Sequence, residues 1–373
     1  MNDWTAQGMK AAILHRGLPE SFPLSEAGRH YRGLSLSEMA RECLSEAGVD
    51  TRSMSRHEVA RRSLVPGYGI RSGGMATSSD FPNVLADAAS KSLLSAYTAQ
   101  QRTFTAWARK ASARDFKNIN RVKLGEAPKL ERVGEHGEYK RGSIVEAKET
   151  YRLAKWGKVL PISWEVIVND DVDAMTRIPA LFGTAAASLE SDIVYSVLLA
   201  NAAMADGVAL FHATHGNLGT GAIAVAGVGA GRAAMRKQTG LDGTTPINVA
   251  PKFMLVPPSV ETTADQLMTT ITPATSANAV PAWTRALTPI GEPRLESGVT
   301  IDGTTYAGSA TAWYLAADPA AMDSIEYCYL EGEEGVQLDT RTGFDVDGLE
   351  IKARLVFAAA AMEHRGMYKS TGV

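Results

Sequence analysis

The 373-residue sequence is poor in cysteine, with only Cys43 and Cys328. Two thiols so far apart exclude a disulfide scaffold and a cysteine-based zinc site, and fit reduced thiols made in a cytosol. The sequence also lacks any run near the roughly 18 apolar residues needed to cross a bilayer. Its start, Met1-Asn2-Asp3-Trp4, lacks the basic stretch and apolar core of a secretory signal. Membrane insertion and ordinary export are therefore not expected. Positive charge is not in excess either: 38 Lys and Arg stand against 41 Asp and Glu. That argues against a strongly basic nucleic-acid binder, which needs many cations to neutralise phosphates, but leaves room for a local basic patch. What the chain does have is 45% hydrophobic residues and a length matching roughly two to three domains. It can bury a large core without staples.

Residues 1–74 read as an arm. Ser35 and Glu38 form a capping-box pattern ahead of the periodic set Leu36, Met39, Ala40, Cys43 and Leu44, and Gly48 closes the helix. Ser55 and Glu58 repeat the pattern before Val59, Leu64 and Val65, with Pro66 as a stop. Pro66-Gly67-Tyr68-Gly69 and Gly73-Gly74 then read as a flexible stretch. Helices this short are marginal alone, so they are expected to pack on something else. Arg52, Arg56, Arg61, Arg62 and Arg71 make the second half locally basic. Asp80 then caps a helix whose apolar stripe is Phe81, Leu85, Ala88, Ala89, Leu93 and Tyr97.

Sixteen of the 38 residues 121–158 are charged, against 21% overall. Alternation around Tyr151, Leu153 and Lys155 predicts strand, and a long charged hairpin turning near Glu135-His136-Gly137-Glu138 fits the segment. With too few apolar residues for a core of its own, such a hairpin suits lying on a neighbouring molecule, where mixed charge fixes register. A long helix is expected over 172–204, with Ile178, Leu181, Phe182, Ala185, Ala186, Leu189, Ile193 and Val197 at helical spacing. Further on, 222–226 reads as strand, 231–238 as helix, 253–256 as a buried strand and 261–270 as helix. The tail reads as strands over 312–316, 325–330 and 349–357.

Several motifs mimic chemistry. Gly229-Ala230-Gly231-Arg232-Ala233-Ala234 fits the glycine pattern of a dinucleotide-binding turn, but no acidic ribose ligand stands at the following strand end, and Arg232 sits inside the motif. His212 and His215 lack the further ligands zinc requires. Asp170, Asp171 and Asp173, placed before a long helix, are read as capping and dipole charges rather than metal ligands. Glu331, Glu333 and Glu334 read as an exposed acidic turn, and no nucleophile motif is present. No catalytic residue, cofactor or metal is assigned.

Three stretches in the middle of the chain carry a resemblance. They are Gly125-Glu126-Ala127-Pro128, Glu135-His136-Gly137-Glu138-Tyr139-Lys140-Arg141-Gly142 and Glu146-Ala147-Lys148-Glu149-Thr150-Tyr151-Arg152-Leu153. With Ile167-Val168-Asn169-Asp170-Asp171, the run 204–217 (Met204 to Asn217) and the tail Gly343 to Lys352, they resemble tailed-phage major capsid proteins. The likeness is to Mu-like major head subunits and to the capsid part of prohead protease–capsid fusions, over about residues 76–370.

The resemblance implies an α+β Hong Kong 97-type capsid fold. On that pattern 1–74 is a helical arm or scaffold-like segment, and 75–120 the N-arm and start of the peripheral domain. Residues 121–158 form the extended loop, 159–239 the peripheral domain with its spine helix, 240–325 the axial domain and 326–373 the returning strands. The implied protein is no enzyme but a virion subunit, assembled in the host bacterial cytoplasm into hexamers and pentamers of an icosahedral shell around double-stranded DNA. Its partners are further copies of itself, a portal, and a scaffold, maturation protease or decoration proteins. Inter-subunit contacts fall on Arg132, Glu135, Glu138, Lys140, Arg141, Glu146, Lys148 and Arg152, and DNA-facing positions on Arg52, Arg56, Arg61 and Arg62. Two rivals stand: an encapsulin-like cargo shell of the same fold, and a nucleotide-dependent α/β oxidoreductase built on Gly229 and Gly231.

Overall fold

The computed structural model describes residues 3–64, 81–124, 146–163, 165–269, 283, 286–342 and 348–373. Its helices are α1 (Asp3–Gly17), α2 (Glu26–Tyr31), α3 (Leu36–Glu46), α4 (Arg56–Leu64), α5 (Phe81–Ala99), α6 (Glu165–Val168), α7 (Val172–Ala200), α8 (Val225–Arg236), α9 (Pro258–Thr269) and α10 (Arg294–Ser297). The strands are β1 (Arg109–Ala113), β2 (Ile119–Leu124), β3 (Glu146–Tyr151), β4 (Ala154–Ser163), β5 (Leu218–Gly219), β6 (Pro251–Val256) and β7 (Thr288–Gly291). They continue with β8 (Val299–Ile301), β9 (Thr304–Tyr306), β10 (Trp313–Ala317), β11 (Ile325–Leu330), β12 (Val336–Thr342), β13 (Gly348–Ala361) and β14 (Met367–Ser370). The chain divides into two units. One is Met1–Gln101, Lys155–Leu189 and Glu333–Val356; the other is Arg102–Ala154, Glu190–Gly332 and Phe357–Val373.

The first unit is built on helices. Ser35 Oγ accepts from the Glu38 N–H at 3.3 Å and the Glu38 carboxylate accepts from the Ser35 N–H at 2.7 Å, so α3 opens on a complete capping box. Gly48, with φ of +82°, follows its end as expected. The apolar faces of α1, α3 and α4 bury Met9, Ile13, Leu36, Met39, Val59 and Leu64 in one core with Phe81 and Leu85 of α5, Met175 of α7 and Ile351 of β13. The N-terminal helices are thus covered within their own unit. Helix α1 has no one-sided apolar stripe in the sequence, because its inner face also carries Thr5, Gly8 and Gly17. Gly8 packs against the Tyr31 ring, where an added Cβ would lie at 2.7 Å. In the same unit β12 and β13 pair antiparallel from Val336↔Leu355 to Thr342↔Leu349.

Helix α7 is the expected long helix, 29 residues, and ends at Ala200 rather than near 204. Asn201 follows it with φ of +45°, a conformation that stops helical propagation. Asp170, expected to serve α7, instead bonds to the N-terminal helices. Its Oδ1 accepts from the Leu36 N–H and its Oδ2 from Arg16 Nη2, each at 2.6 Å. Asp173 lies in the first turn of α7 and pairs with Arg177 one turn on, at 3.4 Å.

The second unit centres on the mixed sheet β5-β14-β10-β6-β7. Its core joins Val228 and Met235 of α8, Ala264 and Met268 of α9, Met254 and Val256 of β6, and Trp313 and Leu315 of β10. Parallel β1–β11 and antiparallel β11–β13 pairing over Ile325↔Ala361 to Tyr329↔Phe357 form a separate ladder, and β8–β9 a small hairpin. Residues 222–226 are not the expected strand, since α8 begins at Val225. Their Ala, Ile and Val residues satisfy a short apolar run without deciding its period. No helix among the described residues is long and apolar enough to cross a membrane.

Candidate assembly interface

The charged segment supplies a two-stranded ribbon, but the alternation around Tyr151, Leu153 and Lys155 is not one strand, since β3 ends at Tyr151 and β4 begins at Ala154 and pairs with β13. Strands β2 and β3 pair antiparallel from Ile119↔Tyr151 to Leu124↔Glu146. Period-2 geometry sorts its side chains. Ile119, Arg121, Glu149 and Tyr151 are half-buried, while Asn120, Val122, Lys148 and Thr150 are exposed. The outer face keeps Val122 55% exposed, and Thr150 Oγ1 donates across the ribbon to Asn120 Oδ1 at 2.9 Å.

The inner face is anchored. Glu326 of β11 is buried, and a buried carboxylate needs charged or hydrogen-bonded partners. Arg121 Nε donates to its Oε1 at 2.8 Å, and the Tyr151 hydroxyl donates to the same oxygen. Burial, and then the Glu326 carboxylate, push the Tyr151 phenol far above its ordinary range, so it stays a donor. One position on, both Glu149 oxygens lie 3.3 Å from the Ala205 N–H. Lys148 and Arg152, expected at contacts between subunits, are exposed, and the Glu146 backbone pairs with Leu124. Arg132, Glu135, Glu138, Lys140 and Arg141 lie outside the described residues, as do the expected hairpin turn and Pro66 to Gly74.

The four arginines differ in exposure. Arg52 and Arg56 are exposed, whereas Arg61 and Arg62 are partly buried. Arg62 pairs with Glu58 at 3.3 Å. His212 and His215 are not a ligand pair. His212 is exposed with its Nδ1 3.0 Å from Thr214 Oγ1, while His215 is buried beside Asp206 and His364.

Residues 146–370 match the phage capsid protein family. The chain belongs to the phage capsid protein family. As a capsid protein its work is structural, not enzymatic, and it associates with copies of itself in the virion shell. Among solved structures it is similar to the mature capsid of bacteriophage PhiM1, at 10% identity over 73% of this chain and 87% of that chain, TM-score 0.48. It is also similar to the structure of Mycobacterium phage Adephagia, at 12% identity over 73% and 89%, TM-score 0.46. The SrpI encapsulin complex from Synechococcus elongatus is another such structure, at 12% identity over 74% and 89%, TM-score 0.43. No curated protein matches the sequence at a significant level.

The oxidoreductase rival fails on the capsid chain's own geometry. Gly229 and Gly231 lie inside α8, not in a strand-to-helix turn, so their N–H groups are committed to hydrogen bonds within the helix rather than to a pyrophosphate. Gly231 is small because α8 lies close to the sheet: a Cβ there would meet the Tyr368 ring at 2.8 Å and Leu315 at 3.0 Å. The residues missed from sequence are Glu326, Tyr151 and Glu149. The period-2 alternation that marks the hairpin also separates Glu149 and Tyr151 from Lys148, and was the available signal for them.

Proposed function

We propose that this capsid protein forms hexamers and pentamers of an icosahedral shell around double-stranded DNA, with its charged ribbon reaching onto a neighbouring copy. The ribbon's outer face is the observation that supports this. It leaves Val122 and Lys148 exposed while its inner face is anchored to Glu326. On this reading 1–74 is the arm, 121–158 the extended loop, α7 the spine and 240–325 mostly the axial domain. On this reading Arg52, Arg56, Arg61 and Arg62 face DNA. Portal, scaffold, maturation protease and decoration proteins are the further partners, and assembly takes place in the host cytoplasm. Charge-rich contacts of this kind weaken with salt.

The test is the content of particles from the bacteria that make them. After nuclease treatment, protected double-stranded DNA is expected, and an enclosed cargo protein without DNA would turn the reading to an encapsulin-like shell. Changing Arg52, Arg56, Arg61 and Arg62 to Ala is expected to lower DNA retention. Unchanged DNA content and particle stability would reject their DNA-facing role.

A further inference from the structure

Loop 201–217 meets the connection between β13 and β14 in the second unit, which brings Asp206, His215 and His364 together. One ligand atom from each lies within 4.8 Å of the other two. By sequence His215 lacks the further ligands zinc requires; the fold supplies two. Asp206 Oδ2 lies 2.9 Å from His215 Nε2, and Asp206 Oδ1 accepts from the Val208 N–H at 2.9 Å. The Leu210 carbonyl oxygen lies 3.2 Å from His215 Nδ1. Asn217 ties the two segments, its Nδ2 donating to the Leu210 carbonyl at 2.8 Å and the His364 carbonyl at 3.2 Å.

A carbonyl oxygen only accepts hydrogen bonds, so the N–H of a neutral His215 sits on Nδ1. The Nε2 lone pair then faces the Asp206 carboxylate, and two acceptors so close need a cation. A backbone carbonyl on the far ring nitrogen is also what sets the tautomer of a metal-binding histidine. A proton needs only His215 and Asp206, whereas a metal takes further donors, and His364 stands ready as the third. Asp206 and His364 line a cavity of about 270 Å³, where Asp206, Glu149 and Glu363 stand against Lys148 and Arg365. The excess carboxylate favours a cation there.

We propose that Asp206 Oδ2, His215 Nε2 and one ring nitrogen of His364 bind a divalent transition-metal ion of the zinc class, with water in the fourth position on the cavity side. Imidazole and carboxylate donors at about 2.0–2.2 Å suit zinc, and three protein ligands plus water complete its four-coordinate shell. Calcium and magnesium take oxygen donors and do not suit two histidines. Binding exchanges one contact for another. The His215 and His364 rings stack, centroids 3.8 Å apart and planes 6° from parallel, and parallel rings do not aim at one ion. His215 is buried and held at Nδ1, whereas His364 is only partly buried and borders the cavity. His364 is therefore the ring that turns, about its Cβ–Cγ bond, to bring a nitrogen onto the ion. The bound ion pins loop 201–217 to the β13–β14 connection. The same loop carries Ala205, whose N–H is held by Glu149 of the ribbon, so the ion also steadies the ribbon's seat.

The full chain, stripped with EDTA and dialysed, tests this with cobalt(II) as the probe, whose visible absorption reports its ligand geometry, and zinc as the competitor. One cobalt ion per chain is expected, with the strong absorption of a four- or five-coordinate site, bleached by zinc. His364→Ala and Asp206→Asn change a partly exposed and an exposed residue. Each is expected to lower the affinity at least as much as loss of an outer-shell partner does, about 10–100-fold. His212→Ala is expected to leave it unchanged. Zinc is expected to slow hydrogen–deuterium exchange of peptides covering 201–217 in the unmodified chain and not in His364→Ala. Circular dichroism checks that each variant folds; if one does not, the other and the titration of the unmodified chain decide. Absence of a one-to-one cobalt signal, binding as tight in His364→Ala and Asp206→Asn as in the unmodified chain, or loop exchange that zinc leaves unchanged would each overturn the site.

Discussion

Asp170 and Leu36, 134 residues apart in the chain, are joined by a 2.6 Å hydrogen bond from the Leu36 N–H to the Asp170 carboxylate. The same carboxylate holds Arg16. One side chain thus satisfies a first-turn donor of α3 and a cation at the end of α1. It does so from a left-handed backbone conformation, φ +55°, that Asp and Asn tolerate better than most residues.

Asp170→Ala is therefore expected to lower the stability of the first unit by about 1–3 kcal/mol, through the lost cap and the lost charge-assisted bond. Asp170→Asn keeps the backbone preference and one acceptor, and should cost less. Thermal unfolding of the unassembled full chain reads the difference. Equal, negligible shifts for both would show that the contact does not stabilise the fold.

Gly231 and Gly229 separate helix packing from phosphate binding. Gly231→Ala puts a methyl group into the Tyr368 ring and should destabilise by about 1–3 kcal/mol, as overpacking does. Gly229→Ala meets, among the described residues, Trp283 at an ordinary 3.7 Å, and should be neutral or slightly stabilising in a helix interior. The opposite order in a thermal shift would reject this packing account.

How much of this was legible depended on whether a signal was local. Ser35 and Glu38 stand three residues apart and marked α3. The spacing of Phe81, Leu85 and Leu93 marked α5, and the strand 325–330 was readable from its own composition. Helix α1 was not, since Thr5, Gly8 and Gly17 dilute its inner face. Residues 222–226 read as strand because β-branched Ile223 and Val225 alternate with alanine, a run too short to exclude the start of a helix. The partners of Asp170, Glu326 and His215 lie far along the chain, and nothing local to those residues names Leu36, Tyr151 or His364.

Glu326→Gln tests the ribbon's anchor. The amide keeps the shape but loses the charge that pairs with Arg121 and receives the Tyr151 hydroxyl. Trypsin cleavage after Arg121, Lys123 or Lys148 is expected to speed up several-fold, while the thermal midpoint moves only a few degrees. Cleavage at the wild-type rate would show that the ribbon is held elsewhere.

Acid should destabilise the chain before it reverses any other contact. The Ser35 N–H holds Glu38 below its ordinary 4.5, and Lys352 holds Asp339 below its ordinary 3.8. Lys252 does the same for Asp318. Carboxylates depressed in the folded state stabilise it above the unfolded values, and that contribution is lost as pH falls through the folded ones. The thermal midpoint is expected to hold above about pH 5 and fall below about pH 4. A midpoint that rises on acidification over that interval would contradict this sign.

The central claim is that this chain is a shell subunit, and sedimentation velocity of the full chain, with negative-stain microscopy of any fast fraction, tests it most directly. Capsomer-sized rings or particles tens of nanometres across are expected, shifting toward slower species as salt rises toward 1 M. A chain that stays monomeric at every concentration and salt, with no rings or particles, would contradict it.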